Sequence, residues 1–493
     1  MTDTVPGNPS IEAVYTGPID LARPHFVGVG GPVMSGLARL LADLGHQVSG
    51  SDVRDSAILE GLRTAGARVY LDHDVAHLEG ASCVVCPASA RNVPQVRAAR
   101  AAGIPVVHPA QVLDRLAAGR QLVAVAGSHG KSTTVGALAH ILRACGQDPT
   151  NLIGGDLTSP GSGAQLGRSK LLVAEADGSD LSFHFLTPSI AVITNVTSHP
   201  EHFSNQADLL RAYVTFGCRT AVNGFLVVNA DCVGSTVAAH VVAAERPDLT
   251  VLRFGRDRTA DVRLLDAHAE GWSASATVRM PDGTQVGLTL PTPAGHHLAN
   301  AAAAMACAVA LGLDPTEVGG ALCSFAGVRR RFEHVDTRAG VTVVDSYTAH
   351  PHEITADLQA ARTLTRGRVF VVFQPSGHAR VLAFGEQIGR VLADHADYVL
   401  LLDVHDAAPQ ARPGADPTAI MARLRDGTYC LPLGPDHAAR VIGRMAGRGD
   451  LVMTMGTGDV TSYGAAILDR LGCRSENMVS ASPPSEGDAL IRR

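Results

Sequence analysis

Lysine is almost missing from this chain: of 41 basic residues in 493, only Lys131 and Lys170 are lysines, and arginine supplies the rest. No run of about 20 consecutive apolar residues occurs, which excludes a helix that crosses a bilayer. The stretch from Met1 to Pro24 lacks the basic-then-apolar pattern of a secretory leader, so a cytoplasmic protein is expected. A net charge of −6 gives no bulk attraction for nucleic acid or an anionic membrane, and neither is expected as a partner. The nine cysteines hold one close pair, Cys83 and Cys86. No second pair or neighbouring histidine cluster completes a metal or redox site, so two thiols buried in an apolar strand are the simpler reading.

What is present describes a globular protein of two to four domains: 46% hydrophobic residues, 18% charged and a length beyond one core. The placement of one rare lysine is informative. Lys131 stands in Gly127-Ser128-His129-Gly130-Lys131-Ser132-Thr133-Thr134. The apolar run Leu122–Ala126 before it predicts a buried strand, and Thr133–Cys145 after it predicts a helix. Backbone N–H groups at such a helix start cradle phosphate. An ammonium on a flexible stem reaches phosphate oxygens as a point charge, which a planar guanidinium does not reproduce. The loop is shorter than the usual eight-residue pattern, with Val125 where a first glycine would stand, but Gly-Lys-Ser is intact. ATP is the expected ligand, with the Ser132 hydroxyl on Mg²⁺. A capped helix with a chance lysine explains less, because strand, loop, helix and downstream carboxylates agree.

Those carboxylates follow a strand at Leu171–Ala174, which delivers Glu175 and Asp177. A further strand, Ala191–Thr194, delivers Asn195. Upstream, His25-Phe26-Val27-Gly28-Val29-Gly30-Gly31 reads as a strand entering a glycine turn, followed by a helix from Met34 to Leu44 and a strand from Gln47 to Gly50. Asp52 then lies about 20 residues past the turn, where a Rossmann-type fold holds a ribose. Val33 takes the third glycine's place. Downstream, Ala260–Leu290 alternates like antiparallel hairpins about a Pro281-Asp282-Gly283 turn, and Ala299–Leu311 is an alanine-rich helix. A third α/β unit begins near Arg329, with strands at Val341–Val344, Val369–Phe373, Tyr398–Leu402 and Leu451–Thr454. A kinase would need a hydroxyl acceptor site and a motor a mechanical partner. A nucleotide-type domain, an ATP domain and a second α/β domain in that order suggest a ligase.

The chain resembles the Mur ligases from about His25 to Gly472. The likeness rests on Gly28-Val29-Gly30-Gly31 with Met34-Ser35-Gly36, Ser49-Gly50-Ser51-Asp52, Ala126–Lys131, Ile153-Gly154-Gly155-Asp156-Leu157 and Glu175-Ala176-Asp177. It continues through Gly327–Glu333, Asp345-Ser346-Tyr347 with His350-Pro351, Phe373-Gln374-Pro375 and Met455–Asp459. It implies a three-domain α/β architecture: a Rossmann-like domain at 1–119, a central P-loop ATPase-type domain at 120–328, a Rossmann-like C-terminal domain at 329–474, and a disordered tail at 475–493. It implies that a carboxylate attacks the γ-phosphate of ATP and that an amino acid amine displaces phosphate from the acyl phosphate. The cofactors implied are ATP and Mg²⁺, and the partners a small-molecule carboxylate, a UDP-sugar among the candidates, and an amino acid. The protein would be a monomer or homodimer.

Residue roles carry over by position. Gly127, Ser128, His129, Gly130, Lys131, Ser132 and Thr133 would hold the triphosphate, Lys131 at the β- and γ-phosphates. Ser132 and Glu175 would hold magnesium, and Asn300 would contact adenine. Arg331 and Asp345 would close over the nucleotide. His350 and Arg380 would handle the incoming amine or the acyl intermediate. Gly30, Gly31, Ser35 and Asp52, with Tyr347 and His378, would bind substrates. The chain also departs from the family pattern. Gly178-Ser179-Asp180 follows the magnesium carboxylate in place of Glu-Ser-Asp, and Pro200 stands where a histidine ligand is expected. Either His199 or His202 substitutes beside Glu201, or the second metal site is lost. Ala349, Ser376 and Pro32-Val33 are further departures, the last removing a donor and resisting φ > 0 near an expected diphosphate. Together they favour a relative with altered acyl and amine substrates. The alternatives are the cell-wall reaction joining L-alanine to UDP-N-acetylmuramate, and a nucleotide binder without catalysis.

Overall fold

A computed structural model describes residues 15–155, 157–158, 163–178, 182–198, 203, 205–405 and 417–477. The chain divides into two compact units, with the boundary between Arg331 and Phe332.

The first unit holds two sheets. Strands β1 (Pro24–Val27), β2 (Ser49–Ser51), β3 (Arg68–Tyr70), β4 (Cys83–Val85) and β5 (Val106–Val107) lie in the order β3-β2-β1-β4-β5. All pairings are parallel, the arrangement that opens a crevice at the carboxyl ends of the central strands. Helix Pro32–Asp43 connects β1 to β2 and buries Met34, Leu37, Ala38 and Leu41 at helical spacing. It begins two residues before the expected start, which changes the reading of Pro32-Val33. Pro32 occupies the first helical turn, where its missing N–H would have no intrahelical partner anyway. Val33 lies within the same helix and is not among the residues of positive φ. The expected conflict with a left-handed turn therefore does not arise. Cys83 and Cys86 are buried at β4, and desolvation pushes their thiols up to about 12 and about 11, as the apolar-strand reading requires.

The second sheet has ten strands: β6 (Gln121–Ala126), β7 (Thr150–Leu152), β8 (Ala164–Gln165), β9 (Leu171–Glu175), β10 (Ile190–Ile193), β11 (Phe225–Asn229), β12 (Thr250–Gly255), β13 (Val262–Glu270), β14 (Ser273–Arg279) and β15 (Gln285–Leu290). Their order is β15-β14-β13-β12-β11-β10-β6-β9-β7-β8. The centre is parallel, and β13 to β15 form the expected antiparallel meander, turning at Gly283 with φ +88°. Successive side chains of the central strands feed opposite faces. Leu122, Ala124 and Ala126 of β6 join a core shared with Phe26 of β1 and Leu37 of helix Pro32–Asp43, while Val123 and Val125 join a core with Leu298 and Met305. Burial on both faces explains why these strands read as continuous apolar runs. Helix His297–Ala310 packs on helix Lys131–Ala144, its alanines permitting close approach.

The second unit carries β16 (Glu333–Arg338), β17 (Val341–Ser346), β18 (Val369–Gln374), β19 (Tyr398–Leu401), β20 (Tyr429–Cys430) and β21 (Leu451–Gly456), in the order β16-β17-β21-β18-β19-β20. Only β16 is antiparallel to its neighbour. Helix Thr461–Asn477 runs past Ser475, three residues into the expected tail, and 478–493 lie outside the described residues. Among the described residues no helix is long and apolar enough to cross a membrane.

Candidate functional site

The phosphate loop leaves β6 at Ala126 and enters helix Lys131–Ala144 two residues before the expected start. Both glycines that frame it hold conformations other residues resist: φ is +139° at Gly127 and +82° at Gly130. Each also gives way to a neighbour. A methyl on Gly127 would collide with the Thr194 hydroxyl, and one on Gly130 with the Asn300 amide oxygen. Asn300, on helix His297–Ala310, is thereby brought directly against the loop.

Around these glycines the loop is tied to the end of β10. His129 N–H donates to Asn195 Oδ1 at 2.9 Å, and the His129 carbonyl accepts from Asn195 Nδ2 at 3.1 Å and Thr194 Oγ1 at 2.6 Å. Ser128 N–H donates to the Asn195 carbonyl at 3.1 Å. The Ser128 hydroxyl accepts from Thr197 N–H at 2.9 Å and donates to the Thr197 carbonyl at 3.2 Å. The His129 ring reaches Thr197 Oγ1 at 3.1 Å. Ser128 and His129 thus spend their hydroxyl and main-chain groups inside the protein. Lys131 Nζ donates to the Gly127 carbonyl at 2.9 Å, folding the ammonium back over the loop. Ser132 and Thr133 are buried in the first helical turn. Arg331 donates to Ser132 Oγ at 3.3 Å, bringing a third predicted residue to the same place. Its neighbours Arg330 and Phe332 have φ +57° and +55°, left-handed values costing of order 1–3 kcal/mol each.

Glu175 ends β9, the strand beside β6, in register with Val125. Its carboxylate accepts from Gly154 N–H at 2.5 Å. Ser132 and Glu175 therefore lie at the carboxyl ends of adjacent parallel strands, a hydroxyl and a carboxylate suited to a hard cation that also binds phosphate. Among the described residues no group of three His, Cys, Asp or Glu could hold a metal alone. His199 and His202, with Pro200 and Glu201, lie outside the described residues, as do Asp156, Ser179 and Asp180.

At the first sheet the glycine turn and acidic residue meet. Asp52 Oδ2 accepts from Gly30 N–H at 2.9 Å, and Oδ1 accepts from Val53 N–H at 2.8 Å. Gly31 N–H donates to the Gly28 carbonyl at 3.2 Å, and Ser35 Oγ donates to the Pro32 carbonyl at 3.1 Å. Gly30, Gly31, Ser35 and Asp52 thus gather at one end of β1 and β2.

In the second unit Asp345 is buried at the end of β17. Thr454 and Thr461 each donate a hydroxyl to its carboxylate at 2.7 Å. His350 caps helix Pro351–Leu364, accepting from His352 N–H at 3.4 Å, with Phe384 edge-on at 4.8 Å between centroids. Tyr347 is exposed, while His378 and Arg380 lie in the first turn of helix His378–His395. Gln374 bridges Asp459 and the N–H of Val460, fixing the glycine loop after β21. Asp345, Tyr347 and His350 thus lie at the carboxyl end of β17, and His378 and Arg380 follow that of β18.

Sequence reasoning passed over the positioning groups, Thr194, Thr197, Thr454 and Thr461. Asn195 was visible as a polar residue at a strand end, but its two-sided pairing depends on contacts across 66 residues.

Known proteins share this layout. Residues 23–121 match the Mur ligase family, catalytic domain; 125–308 the Mur ligase middle domain; and 330–458 the Mur ligase, glutamate ligase domain. The UDP-N-acetylmuramate–L-alanine ligase of Streptomyces avermitilis is 40% identical over 460 residues, covering 92% of this chain and 98% of that protein. The enzyme of that name from Kineococcus radiotolerans is 42% identical over 476 residues, 94% of this chain and 99% of its own length. In fold, the chain is similar to the Thermotoga maritima UDP-N-acetylmuramate-alanine ligase MurC, with a TM-score of 0.77 at 24% identity, covering 92% and 99%.

Proposed function

The chain belongs to the Mur ligase family, and from that premise we propose that it joins L-alanine to UDP-N-acetylmuramate at the expense of ATP. One observation carries the choice of substrates: identity of about 40% runs over 92% of the chain to relatives bearing that activity in their names. The departures that favoured altered substrates lose weight on inspection. Pro32-Val33 belongs to an ordinary helix start, and the departure at 199–202 lies outside the described residues, which leaves Gly178, Ala349 and Ser376 as the departures seen in the structure. A divergent specificity has no support from these relatives.

In this reading ATP is held at the helix start by the N–H groups of Gly130, Lys131, Ser132 and Thr133, since His129 N–H is already engaged. Lys131 leaves the Gly127 carbonyl for the β- and γ-phosphate oxygens. Mg²⁺, held by Ser132 and Glu175, supplies charge neutralisation on the phosphates. The first-sheet turn around Gly30 and Asp52 takes the nucleotide part of the acid substrate. Its carboxylate oxygen attacks the γ-phosphorus, ADP leaves, and an acyl phosphate results. The alanine amine then attacks the acyl carbon, phosphate leaves, and the amide forms with loss of one proton. Positioning and electrostatic stabilisation supply most of the rate in such transfers. In the second unit, taken by itself, Asp345, Tyr347, His350, His378 and Arg380 remain the residues assigned to substrate handling.

The test is direct. Purified protein with ATP, Mg²⁺, UDP-N-acetylmuramate and L-alanine should release phosphate and the amide in equal amounts, read by phosphate assay and mass spectrometry. Absence of amide under these conditions, with phosphate released by another acid and amine, would refute the substrate assignment. Retained turnover in Lys131→Ala would refute the role of the loop.

A further inference from the structure

We infer that Asn195 and Thr194 are positioning residues that preset the phosphate loop for nucleotide, acting through the main chain of His129. This rests on the proposed ATP site and adds residues that the site's own motif does not contain. The argument begins with the peptide groups. A loop between two glycines has more freedom than any other part of the site. Phosphate binding needs its N–H groups aimed at one point before the ligand arrives, because ordering them afterwards subtracts from affinity.

The Asn195 amide supplies that order. Like a neighbouring strand, it pairs with both main-chain groups of His129, accepting at 2.9 Å and donating at 3.1 Å. The Thr194 hydroxyl adds the shortest bond to the same carbonyl, at 2.6 Å, and fills the space left by the missing side chain of Gly127. The Asn195 carbonyl takes Ser128 N–H. Asn195 is itself fixed by the parallel pairing of β10 with β6 and by Asn229, whose amide donates to the Thr194 carbonyl at 2.9 Å. With the peptides on both sides of His129 held, the following N–H groups at Gly130, Lys131 and Ser132 have one orientation. The His129 N–H, satisfied by Asn195, is excluded from the phosphate donors.

The test compares Asn195→Asp, which keeps the acceptor but loses the amide donor, with Thr194→Val, which loses the hydroxyl at similar shape, and Thr194→Ser, which keeps it. Isothermal titration would measure MgADP and UDP-N-acetylmuramate separately, alongside thermal melting. Loss of one or two bonds of this kind should weaken MgADP by about tenfold to a hundredfold. Affinity for the acid substrate at the first sheet should stay within about twofold, as expected for distant sites. Thr194→Ser should bind nucleotide like the wild type. Unchanged MgADP affinity in folded Asn195→Asp and Thr194→Val would overturn the inference. So would a parallel fall in both affinities and in melting temperature, the mark of general damage. If Thr194→Val does not fold, Asn195→Asp and Thr194→Ser still decide between these outcomes. A wild type that binds MgADP but forms no amide would refute the proposed function and leave the clamp standing.

Discussion

Replacing Gly130 by alanine isolates what the loop geometry is worth. The residue has φ +82°, a left-handed conformation that costs an L side chain about 1–2 kcal/mol. The new methyl would also meet the Asn300 side chain at a distance no real contact shows, and displacing a packed group costs of order 1–3 kcal/mol. The variant escapes both penalties by moving the loop, so the binding-competent form becomes a minor state. Affinity then falls by the fraction that remains competent. A combined cost of about 2–5 kcal/mol corresponds to roughly 30-fold to about 4000-fold weaker MgADP, at tenfold per 1.4 kcal/mol. Titration calorimetry of the wild type, Gly130→Ala, Asn300→Ala and the double variant reads the two parts separately. Asn300→Ala removes the collision but also the expected adenine contact, so it should cost less affinity on the Gly130→Ala background than in the wild type, while the φ penalty persists. Wild-type MgADP affinity in Gly130→Ala would refute the reasoning. Strict additivity of the two substitutions would refute the contact with Asn300.

Three further outcomes follow from the same geometry. Lys131→Arg should lower turnover by about 100-fold or more, the usual effect of losing one preorganised donor, because a planar guanidinium keeps the charge but not its position; near-normal turnover would show that charge alone suffices. His25 is fully buried, and desolvation lowers it to about 4 from 6.5. The unfolded chain therefore binds the proton first: the stability from keeping His25 neutral is complete above pH 6.5 and is lost as pH falls toward 4. Melting temperature should drop across that window, less steeply in His25→Gln, and an unchanged slope would count against the assignment. Cys83 and Cys86, raised to about 12 and about 11 respectively, should resist alkylation at pH 8 in the folded protein while exposed Cys323 and Cys473 react; peptide mapping reads the pattern, and rapid labelling at Cys83 would contradict it.

The parts legible in the sequence are those that one segment determines by itself. Leu122–Ala126 reads as a strand because both of its faces are buried, and Gly127 and Gly130 read as a turn because the backbone needs their freedom. The hairpins of 260–290 show through plain alternation. Pro32-Val33 misled because the glycine pattern was matched residue by residue, whereas the glycine turn ends at Gly31 and a helix takes over. The bonds from Asn195 to His129, or from Thr461 to Asp345, join segments far apart in the chain, and nothing local encodes them. Residue chemistry was visible at each end, but the pairing came only with the sheet order.

The scarcity of lysine gives the site a built-in reporter. The side-chain amines of this chain are Lys131, folded over the phosphate loop onto the Gly127 carbonyl, and Lys170, exposed just before β9. An amine-selective reagent therefore interrogates the nucleotide site against a background of one other lysine. The ratio of acylation at 131 to that at 170, read by mass spectrometry with and without MgADP, converts site occupancy into a peptide count with Lys170 as internal standard.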